Sequence, residues 1–131
     1  MPSATIEVRY AYSQEEEVAL MEAVHAAIVE AFEVSPVHRN VTLLVHAPHR
    51  FIGRTDCPSP ERLTNISLFL LPGRSLGAKR RLYCSLVQRL EAFGIPAVCV
   101  LVRLHELPPE NFAVRGGQAL CDVELGYPVA V

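Results

Sequence analysis

The 131-residue chain is 50% hydrophobic and 20% charged, which excludes a disordered or low-complexity protein and supplies enough apolar material for one buried domain. Its 12 basic and 14 acidic residues leave a formal net charge of −2, without the basic excess of a domain built to hold nucleic-acid phosphates. No apolar run approaches the roughly 18 residues of a membrane span, and no basic-then-apolar leader opens the chain, so the expectation is a soluble cytoplasmic protein with no membrane or nucleic-acid partner.

Taken in chain order, Thr5 to Tyr10 alternates apolar and polar residues and predicts a strand. Ser13 with Glu16 forms a capping box, and Glu15 and Glu17 suit the positive end of the helix that follows. Val18, Met21, Val24, Ile28, Ala31 and Phe32 recur at helical spacing until Pro36 bounds the helix. Val41 to Val45 is a second strand, and an irregular, proline-bearing segment runs from His46 to about Leu63. Asn65 to Leu71 then reads as a strand, and Pro72-Gly73-Arg74-Ser75 as a turn with Ser75 capping a second helix. Leu82, Leu86, Leu90 and Phe93 mark that helix's apolar face, and Gly94 suits its C-terminal end. Val98 to Val102 predicts a fourth strand, Pro108 and Pro109 break it, and Gly116-Gly117 opens a short strand-like tail through Val123. Of the cysteines Cys57, Cys84, Cys99 and Cys121, no pair has CxxC spacing. Cys84 and Cys99 read as reduced core residues, and no disulfide is expected.

The second half repeats the first. Ile6 matches Ile66, Ser13 matches Ser75, Phe32 matches Phe93, Pro36 matches Pro96 and Phe51 matches Phe112, at an offset of about 60 to 62 residues. The expectation is an α+β fold of two βαβ halves, about residues 1–62 and 63–131, forming one domain. Two units side by side give a four-stranded sheet with both helices on one face. Ile6, Val8, Leu44, Phe69 and Val100 are too apolar for the opposite face to meet water, which predicts oligomerisation. The alternative is that the proline-rich middle segment covers that face.

Tandem βαβ halves, the opening Met1-Pro2, and the closing run from Glu106 through Pro108-Pro109, Phe112 and Arg115-Gly116-Gly117 resemble the tautomerase superfamily. The Gly73-Arg74-Ser75 turn and the Lys79-Arg80-Arg81-Leu82-Tyr83 helix are similar to its fused members of roughly 130 residues, and Glu30-Ala31-Phe32 to a malonate semialdehyde decarboxylase-like helix end. The resemblance covers nearly the whole chain. It implies a homotrimer without cofactor or metal, acting on a small carboxylate-bearing substrate and related to 4-oxalocrotonate tautomerase.

The resemblance also implies that Pro2 is the catalytic group once the initiator methionine is removed. A prolyl nitrogen has a basic lone pair only when it ends the chain. Burial among apolar groups and nearby cations disfavour its protonated form, lowering its pKa toward neutrality, where a general base works best. Arg74, at a strand-to-helix turn, is placed to grip a substrate carboxylate. The further candidates are His38, as a neutral-range imidazole, and Arg103, which ends the fourth strand and is expected to approach a neighbouring subunit's site, while the resemblance implies that Phe112 forms an apolar pocket wall. Two departures from the decarboxylase-like pattern matter. His38 stands where those relatives carry an aspartate, just before Arg39, and Leu71 and Pro72 stand near the turn where they carry a second arginine. Keto–enol tautomerisation needs only a base, a carboxylate anchor and a group that polarises the carbonyl, so it is the leading expectation. The alternatives are a hydratase, dehalogenase or decarboxylase of a three-carbon acid, and an inactive trimeric binding protein of the same fold. His38, His46 and His49 lie close in sequence, but their spacing around Pro48 fits no zinc motif.

Overall fold

The computed structural model describes residues 2–126 and 129–131. Among the described residues six strands and two α-helices follow in the order β1 (Ser3–Val8), α1 (Gln14–Phe32), β2 (Val41–Val45), β3 (Thr64–Leu70), α2 (Leu76–Glu91), β4 (Val100–Glu106), β5 (Ala113–Val114) and β6 (Gln118–Ala119). β1 to β4 form one sheet in the order β2-β1-β3-β4. Each βαβ half contributes a parallel pair, and the halves join through the antiparallel β1–β3 pairing. In that pairing Ile6 lies directly opposite Ile66, so the matching residues of the repeat meet at the centre of the sheet. The α+β architecture is therefore as the repeat implies, with α1 and α2 packed together over one face.

Local chemistry sets both helix starts. Ser13 Oγ accepts from the Glu16 N–H at 3.1 Å while the Glu16 carboxylate accepts from the Ser13 N–H at 3.0 Å. Those bonds to Ser13 hold the Glu16 carboxyl below its usual value. A depressed carboxyl contributes stability above its unfolded pKa and loses it as pH falls through the folded value, so this cap weakens in acid. Ser75 caps α2 in the same way, accepting from Ala78 N–H at 3.1 Å. Leu20, Val24, Ile28 and Phe32 of α1 meet Leu82, Leu86 and Leu90 of α2 above Ile6, Val8, Ile66 and Leu68. An ion pair from Arg89 to Glu30, 2.7 Å, ties the two helices at the surface.

Four expectations are corrected. Ile6 and Val8 lie beneath the helices, and Val100 packs against that same core. Strand alternation puts their neighbours outward instead. Of the five residues assigned to the open face only Leu44 and Phe69 belong to it, 44% and 40% exposed, beside Thr5, Glu7, Asn65, Ser67 and Arg103. Next, β4 begins at Val100, because Pro96 starts a single 3₁₀ turn over Ala97–Cys99. The tail is a small hairpin, β5 and β6, turning on Arg115, Gly116 and Gly117, which all have positive φ. Finally, Cys57 and Cys99 are joined by a disulfide with Cα atoms 5.4 Å apart, and Cys84 lies exposed. The irregular middle segment folds back on the entry to β4, a proximity that cysteine spacing along the chain does not reveal.

Ile66→Ala is expected to cost about 2–5 kcal/mol in urea denaturation, since Ile66 is fully buried at the centre of the sheet. Ser13→Ala should cost about 1 kcal/mol by the same measurement.

Candidate active site

The antiparallel pairing of β1 with β3 decides which loops share an end of the sheet. Ser3 lies opposite Phe69, so the start of β1 meets the end of β3. β2 begins at that end, where the Ala4 N–H donates to Asn40 O at 2.9 Å. β4 ends there, with the Leu107 N–H donating to Leu70 O at 2.8 Å. Pro2, the His38 loop, the Arg74 turn and the Phe112 segment thus come from four elements to one end of the sheet. Arg103 does not join them. It lies within β4 opposite Ser67, and its guanidinium faces Glu7 Oε2 at 3.9 Å on the open face.

Pro2 is buried immediately before β1, whereas the expectation concerning Met1 lies outside the described residues. Arg74 is 6% exposed, an unusual position for a guanidinium at a turn. Its Nη1 donates to Leu71 O at 3.2 Å, and its Cζ lies 4.9 Å from the centre of the Phe32 ring. The turn itself is held from outside. A Cβ at Gly73, φ +127°, would meet Val129 at 3.0 Å, and Ser75 Oγ donates to Val131 O at 2.8 Å. Phe112 packs with Leu71 and Leu120 in a second, smaller apolar cluster that Leu107 and Val129 flank. This cluster closes the Pro2 end of the sheet with the C-terminal tail.

Between the His38 loop and the tail runs a cleft of about 280 Å³. Val114, Leu120, Val123 and Leu125 give it an apolar wall, Arg39, Arg115 and Glu124 bring charge to it, and His38 adds an imidazole. The loop is fixed from beneath. His25, buried in α1, lies 2.9 Å from Pro36 O, and Arg39 forms an ion pair with Glu22. Arg115 takes a left-handed backbone, φ +48°, at the tip of the β5–β6 hairpin. An apolar wall with two guanidiniums suits a small organic anion. Sequence reasoning did not select Arg115 or Glu124 as site residues. The Arg115-Gly116-Gly117 triplet signals a tight turn, but only the docked tail shows that the turn overlooks the His38 loop.

Among the described residues no three His, Cys, Asp or Glu side chains converge as metal ligands, and no helix is long and apolar enough to cross a membrane. The opposite end of the sheet is built differently. Arg62, 60 residues after Pro2 and so its counterpart in the repeat, lies with Cζ 3.5 Å over the Tyr10 ring and donates to Phe93 O at 2.9 Å. Burial there raises the Tyr12 phenol above its ordinary value.

No curated protein matches the sequence. Solved structures share the fold. A malonate semialdehyde decarboxylase studied for its decarboxylase and hydratase activities superposes with a TM-score of 0.79 at 24% identity, over 89% of this chain and 93% of that one. A native fused 4-OT gives 0.81 at 19% identity, over 92% and 98% of the two chains. The F6 fused 4-OT, an asymmetric trimer, gives 0.80 at 21% identity, over 92% and 97%. The sequence profile of the tautomerase enzyme family matches residues 38–115, from the His38 loop through β3, α2 and β4 to Arg115. With that profile spanning more than half of a chain already shown to fold as a tandem βαβ sheet, the protein belongs to the tautomerase enzyme family.

Proposed function

We propose that this protein is a cofactor-independent tautomerase that moves a proton between oxygen and carbon on a small carboxylate-bearing keto or enol acid. One observation carries the reading: Pro2 is buried at the sheet end where four segments converge, two residues before Ala4, whose N–H donates to Asn40 O of the cleft wall. With the initiator methionine removed, Pro2 presents a secondary amine in apolar surroundings, which favour its neutral, proton-accepting form. The neutral amine takes a proton from the substrate carbon, and the resulting ammonium returns it to the other tautomer's site. Phe112 and its neighbours exclude water from this end. Arg74 is the carboxylate anchor, His38 polarises the carbonyl from the cleft rim, and Arg103 serves the site of a neighbouring subunit in a homotrimer. The open sheet face, with Leu44 and Phe69 incompletely covered, is the surface along which such subunits associate.

A hydration reading has one observation in its favour. Glu124 brings to the cleft a carboxylate that His38 does not supply, and a carboxylate there would take a proton from water. Incubation with malonate semialdehyde and halogenated acrylates separates the readings by product. New hydration, decarboxylation or dehalogenation products would replace the tautomerase assignment. No turnover of any of these acids would favour a binding protein of the same fold.

In the untagged, methionine-processed protein, Pro2→Ala should lower kcat/KM for an enol acid by about 10²- to 10⁴-fold with unchanged circular dichroism. Unchanged activity would overturn the proposal. The wild-type kcat/KM should fall on the acid side as the amine becomes protonated. Arg74→Ala should raise KM about ten- to a hundredfold with a smaller effect on kcat, the signature of a lost charged hydrogen bond.

A further inference from the structure

The segment between β2 and β3 contains only two single 3₁₀ turns, Pro48–Arg50 and Pro60–Arg62. Phe51, Cys57 and Leu63 are its buried apolar anchors, and Arg9 Nη1 donates to Phe51 O at 2.9 Å. Its one covalent tie is from Cys57 to Cys99, in the turn that leads into β4. The two sulfurs are shielded, with Cys57 4% and Cys99 2% exposed. Both also lie near a single acceptor, Ser59 O, at 3.3 Å from Cys57 Sγ and 3.7 Å from Cys99 Sγ. Each sulfur would therefore have a hydrogen-bond acceptor at hand as a thiol, so the site accommodates the reduced pair as well as the bonded one.

We propose that Cys57 and Cys99 form a reversible thiol–disulfide site that latches the 46–63 segment to the entry of β4. Its reactants are low-molecular-weight thiols and their disulfides. In the reducing direction a thiolate attacks one sulfur and breaks the Cys57–Cys99 bond to give a mixed disulfide. A second thiolate then releases the other half as a small disulfide, so two external thiols become one disulfide and the protein gains two thiols. Oxidation runs the same steps backward, the small disulfide accepting the two electrons. Because both sulfurs are buried, exchange proceeds through local opening of the segment, away from the helix-covered core. The latch sits at the end of the sheet opposite Pro2, since Val8 ends β1 opposite Thr64, and Thr64 pairs with Val100. The inference is independent of the proposed chemistry.

A second consequence concerns the cavity beside the bond. It measures about 420 Å³ and lies between Phe51–Arg54 on one side and Ala97–Leu101 on the other, the two stretches that the disulfide holds in place. Ile52 and Val98 stand exposed at its walls, 90% and 52%. Release of the latch frees one wall from the other.

The test uses the full chain after equilibration with oxidised glutathione or with excess dithiothreitol, without denaturant. Iodoacetamide trapping and intact mass should show only the exposed Cys84 and Cys121 modified in the oxidised protein, each carrying an alkyl or a glutathionyl group, and four alkyl groups after reduction. Trypsin should then cut after Arg54 about tenfold faster in the reduced protein, while a cooperative thermal transition persists. Cys57→Ser, in a segment outside the sheet, should be cut at the fast rate under both conditions. Modification of all four cysteines, by alkyl or glutathionyl groups, after oxidised glutathione would overturn the proposal. So would equal cleavage rates, resistance to dithiothreitol unless denaturant is added, or loss of the whole thermal transition on reduction.

Discussion

The antiparallel pairing of β1 with β3 is the constraint on which the rest of the structure depends. Two βαβ units each leave a sheet edge and an apolar face that a single unit cannot satisfy alone. Joining them through their first strands merges the edges, and Ile6 opposite Ile66 makes the centre of the sheet the meeting point of equivalent residues. The pairing also has a chemical consequence. Because the strands run in opposite directions, the start of one half lies beside the end of the other half's first strand, and Pro2 falls at the sheet end that carries the Arg74 turn. Covalent distance along the chain is exchanged for spatial proximity at one sheet end.

The same arrangement creates a second, equivalent end, and the two have diverged. At the first, the proline is buried and the C-terminal hairpin adds an apolar wall and a charged rim. At the second, Arg62 occupies the counterpart position, stacked on Tyr10, and the disulfide-bonded segment folds nearby. A guanidinium is always a cation and cannot act as a base. Arg62 therefore cannot take the part proposed for Pro2. The duplication reaches beyond strands and helices: Phe51 and Phe112 each follow a proline-started 3₁₀ turn and each is buried.

Much of the fold was legible because its signals are local. Ser13 with Glu16 and Ser75 before the second helix each identify a helix start through bonds formed within one turn. The repeat was legible because equivalent residues are equivalent in kind, Ile6 with Ile66 and Phe51 with Phe112. What the sequence hid is long-range. Ile6 and Val8 are as apolar as any outward residue, and only pairing with β3 and the helices fixes which side they take. The Cys57–Cys99 bond closes a separation of 42 residues through an irregular segment, where no periodicity specifies direction. The cleft unites the loop before β2 with the tail, so Glu124 carries no mark of its neighbours in the chain around it. Arg103 shows the reverse case, since its place in the chain suggested a strand end while the shifted β4 puts it within the strand, opposite Ser67.

The central claim is that the fold makes the amine of Pro2 a better proton acceptor at neutral pH than the same amine in water. A nitrogen-15 NMR titration of Pro2 in methionine-processed protein tests this directly, with the urea-unfolded chain as reference. The account predicts that the folded amine titrates at a clearly lower pH than the unfolded one, because burial disfavours the ammonium. A midpoint equal to or above that of the unfolded chain would contradict it.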